Sequence, residues 1–513
     1  MKIDAVSIKW ALNHLTTIGD SDLFPIPIEF EAIVGQGEEA INFLSDLDLS
    51  QVNPGSARRF IVPKDDLSYR VATQLDPLDS IFLAAIMYQF GVEIESKRRP
   101  VEENRVFSYR FAPDPGGNFY DKIFSWNEFW KNCFEKSKSF EYALVLDISD
   151  FYNQIYHHTL ENQLAECGLP NQVIKWIIAL SESITAKTSR GIPVGPHSAH
   201  LLAEISLKPI DNSLVTRGIE FCRFVDDIIV FCNSETEAKI NILTIADILD
   251  KQQRLMLQRH KTKILDKENF QKYCNEMLED RPINDLETNL LKIIRKHSGG
   301  NPYGIIYLSQ LSAEELNSFN DESITKIFND YISQTEPDYT RLRWFIRRLS
   351  QVGHPGAVNY CVDNINKLMP ALNDICQYFV SVSNFSASDW PILGEKILNL
   401  LDDPIIQANE YYQLSIYSLF NRKLELNHFE KILRNYQANP SNLKRETIIA
   451  AFKYDAADWL RELKEHYRGM DRWTQRAFLV ACSKLPREEK RFFFSQVSKE
   501  DKLDELLILW SKK

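Results

Sequence analysis

The stretch that most constrains this chain is Phe221-Cys222-Arg223-Phe224-Val225-Asp226-Asp227-Ile228-Ile229-Val230-Phe231. Apolar, β-branched and aromatic residues run into two adjacent aspartates and out again, the pattern of two buried strands joined by a tight turn at Asp226-Asp227. Two carboxylates side by side at a strand end repel each other and lose hydration, so they call for a cation. Hard oxygen donors suit Mg²⁺, with Mn²⁺ as an alternative. Asp is also an ordinary turn residue, so the pair gains meaning only with a third carboxylate on another strand. Tyr142-Ala143-Leu144-Val145-Leu146-Asp147 supplies one, a buried-strand run that terminates in an acid.

Around these runs the chain divides in three. Residues 1–60 read as helical, with Val6-Ser7-Ile8-Lys9-Trp10-Ala11-Leu12 as an amphipathic start, and contain no tyrosine; the first is Tyr69. Residues 61–280 mix strands and helices. Phe60-Ile61-Val62-Pro63-Lys64 reads as a strand ended by proline, a second strand follows around Tyr69-Arg70-Val71, and a helix runs from Pro77 through Met87 with Asp79 in its first turn. Arg190-Gly191-Ile192-Pro193-Val194-Gly195-Pro196 is a constrained loop ahead of a helix from Ser198. Leu255-Met256-Leu257 and Thr262-Lys263-Ile264-Leu265 read as a closing strand pair around His260-Lys261. Residues 281–513 lose all strand-like runs and repeat helices of ten to twenty residues with short polar joins, a helical-repeat texture. Within it, Arg341-Leu342-Arg343-Trp344-Phe345-Ile346-Arg347-Arg348 reads as an amphipathic helix with Trp344, Phe345 and Leu349 in the core and its arginines in solvent. A basic-aromatic strip that stacks on single-stranded DNA is the alternative.

Three carboxylates around two Mg²⁺ ions can activate a hydroxyl and stabilise a leaving pyrophosphate. The residues around them carry a resemblance. Asp147-Ile148-Ser149-Asp150-Phe151-Tyr152, Gly191-Ile192-Pro193-Val194-Gly195-Pro196 with Ser198, Phe224-Val225-Asp226-Asp227 and Lys261-Thr262 stand in the order and spacing of reverse transcriptase motifs. Pro63-Lys64 and Arg70 resemble the fingers motif upstream. The resemblance implies that Asp147, Asp226 and Asp227 hold the metals and that Lys261 approaches the leaving pyrophosphate. It implies that Lys64 and Arg70 meet the triphosphate, for which ammonium and guanidinium groups are suited. It sets Tyr152 under the incoming sugar, where a ring leaves no room for a 2′-hydroxyl. Pro193 and Gly195 fall in the nucleotide-handling loop, although Val194 stands where many relatives have a glutamine and cannot hydrogen-bond as glutamine does.

With a helical domain of some 230 residues in place of a thumb, the chain resembles the bacterial abortive-infection reverse transcriptases, AbiK-like and prophage-encoded. That resemblance implies an α+β fold, right-hand polymerase fingers and palm followed by an all-α HEAT-like repeat domain. It implies homo-trimers or hexamers in phage defence that polymerise dNTPs without a template from a protein hydroxyl, leaving single-stranded DNA covalently attached. Two alternatives stand beside it: a templated RNA-directed DNA polymerase with an associated noncoding RNA, and a phage-sensing scaffold with a vestigial palm.

Composition sets outer bounds. The chain has 513 residues, 44% hydrophobic and 26% charged, with a net charge of −11, which disfavours indiscriminate coating of nucleic acid but not a local basic channel. Eight scattered cysteines without a Cys-x-x-Cys pair read as reduced thiols. No segment reads as a membrane span or signal peptide, so a cytoplasmic location is expected.

Overall fold

The computed structural model describes residues 1–299, 304–497 and 501–513. Two compact units emerge: residues 1–59 with 72–281, and residues 60–71 with 282–513. The hairpin 60–71 thus groups with the helical unit rather than with the residues on either side of it in sequence.

The first unit is built on a four-stranded sheet of order β4-β5-β3-β6, with β3 at Tyr142–Asp147, β4 at Glu220–Phe224, β5 at Asp227–Cys232 and β6 at Lys263–Asp266. Its neighbours are all antiparallel. Side chains alternate between faces with period two. Ala143 and Val145, paired with Phe231 and Ile229, point to a face covered by the helices Trp126–Ser137 and Lys267–Leu278, where Phe129, Trp130, Cys133, Phe270 and Cys274 close the core. The opposite face is covered from Glu235–Gln253 and Lys208–Thr216. Burying both faces explains why these strands read as unbroken apolar runs.

Three expectations need correction. The hairpin turn is Val225-Asp226, and Asp227 already opens β5. Leu255-Met256-Leu257 is not a strand; it makes a single bridge, Leu257 to Ile148, so β6 closes the sheet alone against β3. The helix from Pro77 runs on to Lys97, and this 21-residue helix is long and apolar enough to cross a membrane by length and composition. Most of it is buried among its neighbours, as a core helix is, and it packs on the helix Ala5–Thr17. All eight cysteines are buried free thiols.

The second unit is helical apart from its hairpin, formed by β1 (Arg58–Pro63) and β2 (Tyr69–Gln74), whose strands begin and end in the first unit. Helices Tyr339–Val352, Leu372–Ser381, Glu410–Arg422, Ser441–Lys453, Arg472–Ala481 and Lys502–Lys512 each pack on the next in chain order. The helix Tyr339–Val352 departs from its simple amphipathic reading. Phe345 and Leu349 are buried as anticipated, but so are Arg341 and Arg343. Arg341 pairs with Glu287 at 2.8 Å, and the guanidiniums of Arg341 and Arg348 both lie over the Trp344 ring, at 3.8 and 4.6 Å from its centroid. Arginine stems and planar heads suit such half-buried stacking, which explains how the strip serves the core.

Candidate active site

Antiparallel register brings the acids together. Asp147, the last residue of β3, is the direct cross-strand partner of Asp227, the first of β5, while the Ile148 amide donates to the carbonyl of Asp226 at 3.1 Å. The Gln258 amide donates to the Asp147 carbonyl at 2.7 Å, tying in the turn that carries Lys261. Lys261 Nζ then donates to Asp147 Oδ1 at 2.7 Å. Burial, with Asp226 and Asp147 adding repulsion, pushes the Asp227 carboxyl up to about 7, against which Lys261 offers only partial relief. Burial lowers the Lys261 ammonium, but its bond to Asp147 and the charges of Asp227 and Asp226 outweigh this and hold it above its ordinary value. Around Asp227, positive charge falls short.

That shortage tests the metal expectation. The donor set, three carboxylates at adjoining strand ends, has the hardness and the excess charge that a divalent cation satisfies. Among the described residues no three His, Cys, Asp or Glu side chains already converge as a finished metal cage. Here Asp147 gives an oxygen to Lys261. The residues fit the group in chemistry and strand position, with Lys261 as the competitor for Asp147.

Two further sets of residues hold this corner, and the sequence reading missed both. Val225 has φ 54, a left-handed conformation that costs a β-branched residue roughly 1–3 kcal/mol. Its amide donates to Ser108 Oγ at 2.9 Å and its carbonyl accepts from Arg223 Nη1 at 3.0 Å. Arg223 is fully buried and donates to Asp211 (2.7 Å) and Glu204 (3.1 Å), and Glu204 also accepts from Arg98 (2.7 Å) and Ser108. Burial pushes the Glu204 carboxyl up, but the Arg223 and Arg98 guanidiniums outweigh it and leave Glu204 below its ordinary value. Arg98 also pairs with Glu95 at 2.7 Å, and Glu95 with Arg110 at 2.7 Å, so three guanidiniums and three carboxylates balance beneath the turn. An arginine inside the apolar run Phe221-Cys222-Arg223-Phe224 was the available signal.

The second set surrounds Tyr152, on the short helix Phe151–Gln154 that follows Asp147. Its carbonyl accepts from the Ile192 amide at 3.0 Å, and its hydroxyl meets His200 Nδ1 at 2.6 Å. His200 stacks face to face on Tyr109, with centroids 3.8 Å apart and planes 5° from parallel. Burial raises the Tyr152 phenol well above its ordinary value, and Tyr109, Glu204 and Asp226 add to the shift, so Tyr152 lies within electrostatic reach of Asp226. Pro193 is buried in the same loop. Val194 contributes its carbonyl to the Thr73 amide at 2.8 Å, so its backbone rather than a side-chain amide makes the polar contact. Gly195 has φ +128, and a Cβ there would lie 3.1 Å from Ser21 Oγ and 3.3 Å from the Thr73 carbonyl, which explains the glycine.

Lys64 and Arg70 belong to the second unit. Lys64 is exposed near the hairpin tip, its amide donating to the Ser68 carbonyl at 2.9 Å. The hairpin is gripped by its own unit: Asn409 Nδ2 donates to the Ile61 carbonyl (3.1 Å), Arg343 Nη1 to the Pro63 carbonyl (2.9 Å) and Tyr339 Oη to Asp66 (3.2 Å). Arg70 has a buried Nε without a hydrogen-bond partner. Burial, reinforced by Arg343 and Arg347, lowers its guanidinium, and Tyr411 and Asp374 only partly offset this. Arg347 donates to the buried Asp374 at 2.6 Å.

Residues 62–275 match the family model described as reverse transcriptase (RNA-dependent DNA polymerase). The chain therefore carries a reverse transcriptase domain, an RNA-directed DNA polymerase type of nucleotidyltransferase, and the carboxylates, Lys261, Tyr152, the glycine loop, Lys64 and Arg70 all fall within the match. No curated protein matches the chain. Among solved structures it is similar to a telomerase from Candida albicans in complex with a telomeric RNA fragment, at 10% identity and a TM-score of 0.27, covering 71% of this chain and 66% of that one. It is also similar to an apo telomerase from Candida tropicalis, at 11% identity and a TM-score of 0.30, covering 80% and 69%.

Proposed function

We propose that this chain is a DNA polymerase of the reverse transcriptase kind that adds dNTPs to a hydroxyl at the Asp147, Asp226 and Asp227 corner. The observation that carries the reading is the cross-strand pairing of Asp147 with Asp227, inside a matched reverse transcriptase domain, with Asp226 in the adjoining turn. Mg²⁺ held by the three carboxylates would supply charge neutralisation for the triphosphate and a lowered pKa for the attacking hydroxyl. The chain's own groups do the rest. Lys261, kept protonated beside Asp147, holds a proton where the leaving pyrophosphate gathers charge. Tyr152 excludes a 2′-hydroxyl, and Pro193 and Gly195 shape the loop bonded to its backbone. In the second unit, Lys64 and Arg70 are cations of the kind that meet phosphate oxygens.

The finer reading is untemplated, protein-primed synthesis in abortive-infection defence, by a cytoplasmic homo-trimer or hexamer with HEAT-like repeats. It rests on the motif resemblance together with the all-helical second unit. Tyr69 and Tyr307 are the solvent-exposed tyrosines among the described residues and are the first primer candidates, while Tyr303 lies outside those residues. The description of the matched family favours a second reading, templated synthesis on RNA.

Purified protein incubated with each labelled dNTP and Mg²⁺, without template or primer, separates the two. Label that runs with the protein on a denaturing gel and is freed by protease supports covalent, untemplated synthesis. Incorporation only after adding an RNA template and DNA primer returns the enzyme to templated copying. Silence under both conditions overturns the polymerase reading and leaves the scaffold.

A further inference from the structure

We propose that His200 is a specificity-determining residue that positions Tyr152, so that sugar selection depends on the pair rather than on the tyrosine alone. This rests on the reading of Tyr152 as the group under the sugar.

A ring excludes a 2′-hydroxyl only if it cannot swing aside, and an aromatic side chain rotates readily about χ1 and χ2 unless both ends are fixed. Tyr152 stands on a four-residue helix, too short to immobilise it through helical packing. The loop 190–196 and the helix it leads into, Ala199–Ser206, fix it instead. The Ile192 amide holds its carbonyl, and eight residues later His200 Nδ1 holds its hydroxyl. That loop is in turn anchored by His157 Nε2 on the Gly191 carbonyl at 2.7 Å and by the Val194 carbonyl on Thr73. The imidazole is itself held by two rings: Tyr109 covers one face in parallel stacking and Tyr152 meets it edge-on, at 5.9 Å and 87°. Tyr109 holds φ 47 to stay there, a conformation uncommon for an aromatic residue.

The protonation states agree with the geometry. Burial, with His197 beside it, lowers His200 to about 3, so its imidazole is neutral at working pH. The Tyr152 phenol keeps its proton. The phenol therefore donates to Nδ1, which assigns the His200 proton to Nε2.

The test measures dGTP against GTP on the full chain, both as incorporation and as equilibrium binding with Ca²⁺, which needs no turnover. His200→Phe keeps a ring to stack on Tyr109 and removes the acceptor, whereas His200→Asn places a carbonyl near the Nδ1 position. A lost orienting hydrogen bond is worth about three- to tenfold in discrimination. His200→Phe and Tyr152→Phe should each lower the dGTP preference by that factor, the double variant should be no worse than either, and His200→Asn should recover most of it. A merely structural histidine would lower both nucleotides equally and leave the ratio unchanged, which overturns the proposal. Tyr152→Ala keeps the two readings apart. If it collapses the preference while His200→Phe leaves it intact, the positioning role fails and the sugar gate stands. If Tyr152→Ala leaves the preference unchanged, the gate reading fails and the proposal falls with it.

Discussion

At the ends of β3 and β5, Asp227 faces the carboxylates of Asp226 and Asp147 and the ammonium of Lys261, whereas in the second unit Arg70 and Arg343 face each other's guanidinium or that of Arg347 beside the buried carboxylate of Asp374. The two regions are unbalanced in opposite senses, and the imbalance shows in the same way. Asp227 is pushed toward its neutral form, and burial with like-charged neighbours lowers Arg70 and Arg343. Beneath the Val225 turn, by contrast, Arg98, Arg110 and Arg223 meet Glu95, Glu204 and Asp211 in equal number. A balanced buried network specifies structure, while an unbalanced one opposes folding and is retained where a ligand of opposite charge compensates. The acidic corner suits a divalent cation. The basic one suits phosphate oxygens.

The largest expected effect comes from removing the acidic imbalance. Asp226→Asn should cut nucleotide incorporation by about a thousandfold or more, roughly 4 kcal/mol in the barrier. Because it relieves repulsion with Asp227, thermal denaturation of the metal-free protein should show an unchanged or raised melting temperature. A variant that is inactive because it unfolds would break the comparison, by making the carboxylates structural.

Within the basic region the substitutions should split. Arg347→Met strips Asp374 of its 2.6 Å partner and should destabilise the protein by about 1–3 kcal/mol in urea denaturation. Arg70→Met keeps the side-chain volume, removes a guanidinium repelled by Arg343 and Arg347, and should stay within about 0.5 kcal/mol of the parent. Equal losses from both would mean that Arg70 is a structural cation after all, and the symmetry between the two regions would go with it.

The same contrast explains what could be read from the chain before its fold. The acidic corner is carried by strands whose apolar runs show in any window of ten residues, so Asp147, Asp226 and Asp227 were legible. The one-residue error in the turn arose because Val225 takes a conformation its side chain resists, held by Ser108 from more than a hundred residues upstream. The stretch 255–257 is apolar like a strand but makes only one bridge, the Met256 carbonyl accepting from the Ser149 amide and the Gln258 amide just beyond it serving Asp147. Arg70, Arg343, Arg347 and Asp374 come from sites up to three hundred residues apart, and no local pattern brings them together. Arginines on an amphipathic helix ordinarily face water. Arg341 and Arg343 do not, because Glu287 and the Pro63 carbonyl are there to receive them.

The pH dependence of stability is the prediction most specific to the acidic corner. An aspartate in an unfolded chain titrates near 4, while Asp227 in the folded protein does so at about 7. Between those values the folded state binds more protons at this site than the unfolded state. Stability must therefore fall as pH rises through that window, and it levels off above the upper value. Other groups superimpose their own slopes, notably His14 and His200, which burial lowers to about 4 and about 3. They protonate on unfolding below their ordinary value, so they oppose Asp227 by making stability rise with pH over the lower part of the same range. The measurement is therefore a difference. Urea denaturation of the chelator-treated parent and of Asp227→Asn, compared at pH 5 and pH 8, should show the variant gaining on the parent at the higher pH. Added Mg²⁺ should shrink that gain, because a cation bound to the parent replaces the proton in offsetting the three charges. A gain that is equal at both pH values would show that Lys261 alone neutralises the corner, and the two regions would then differ in kind and not merely in sign.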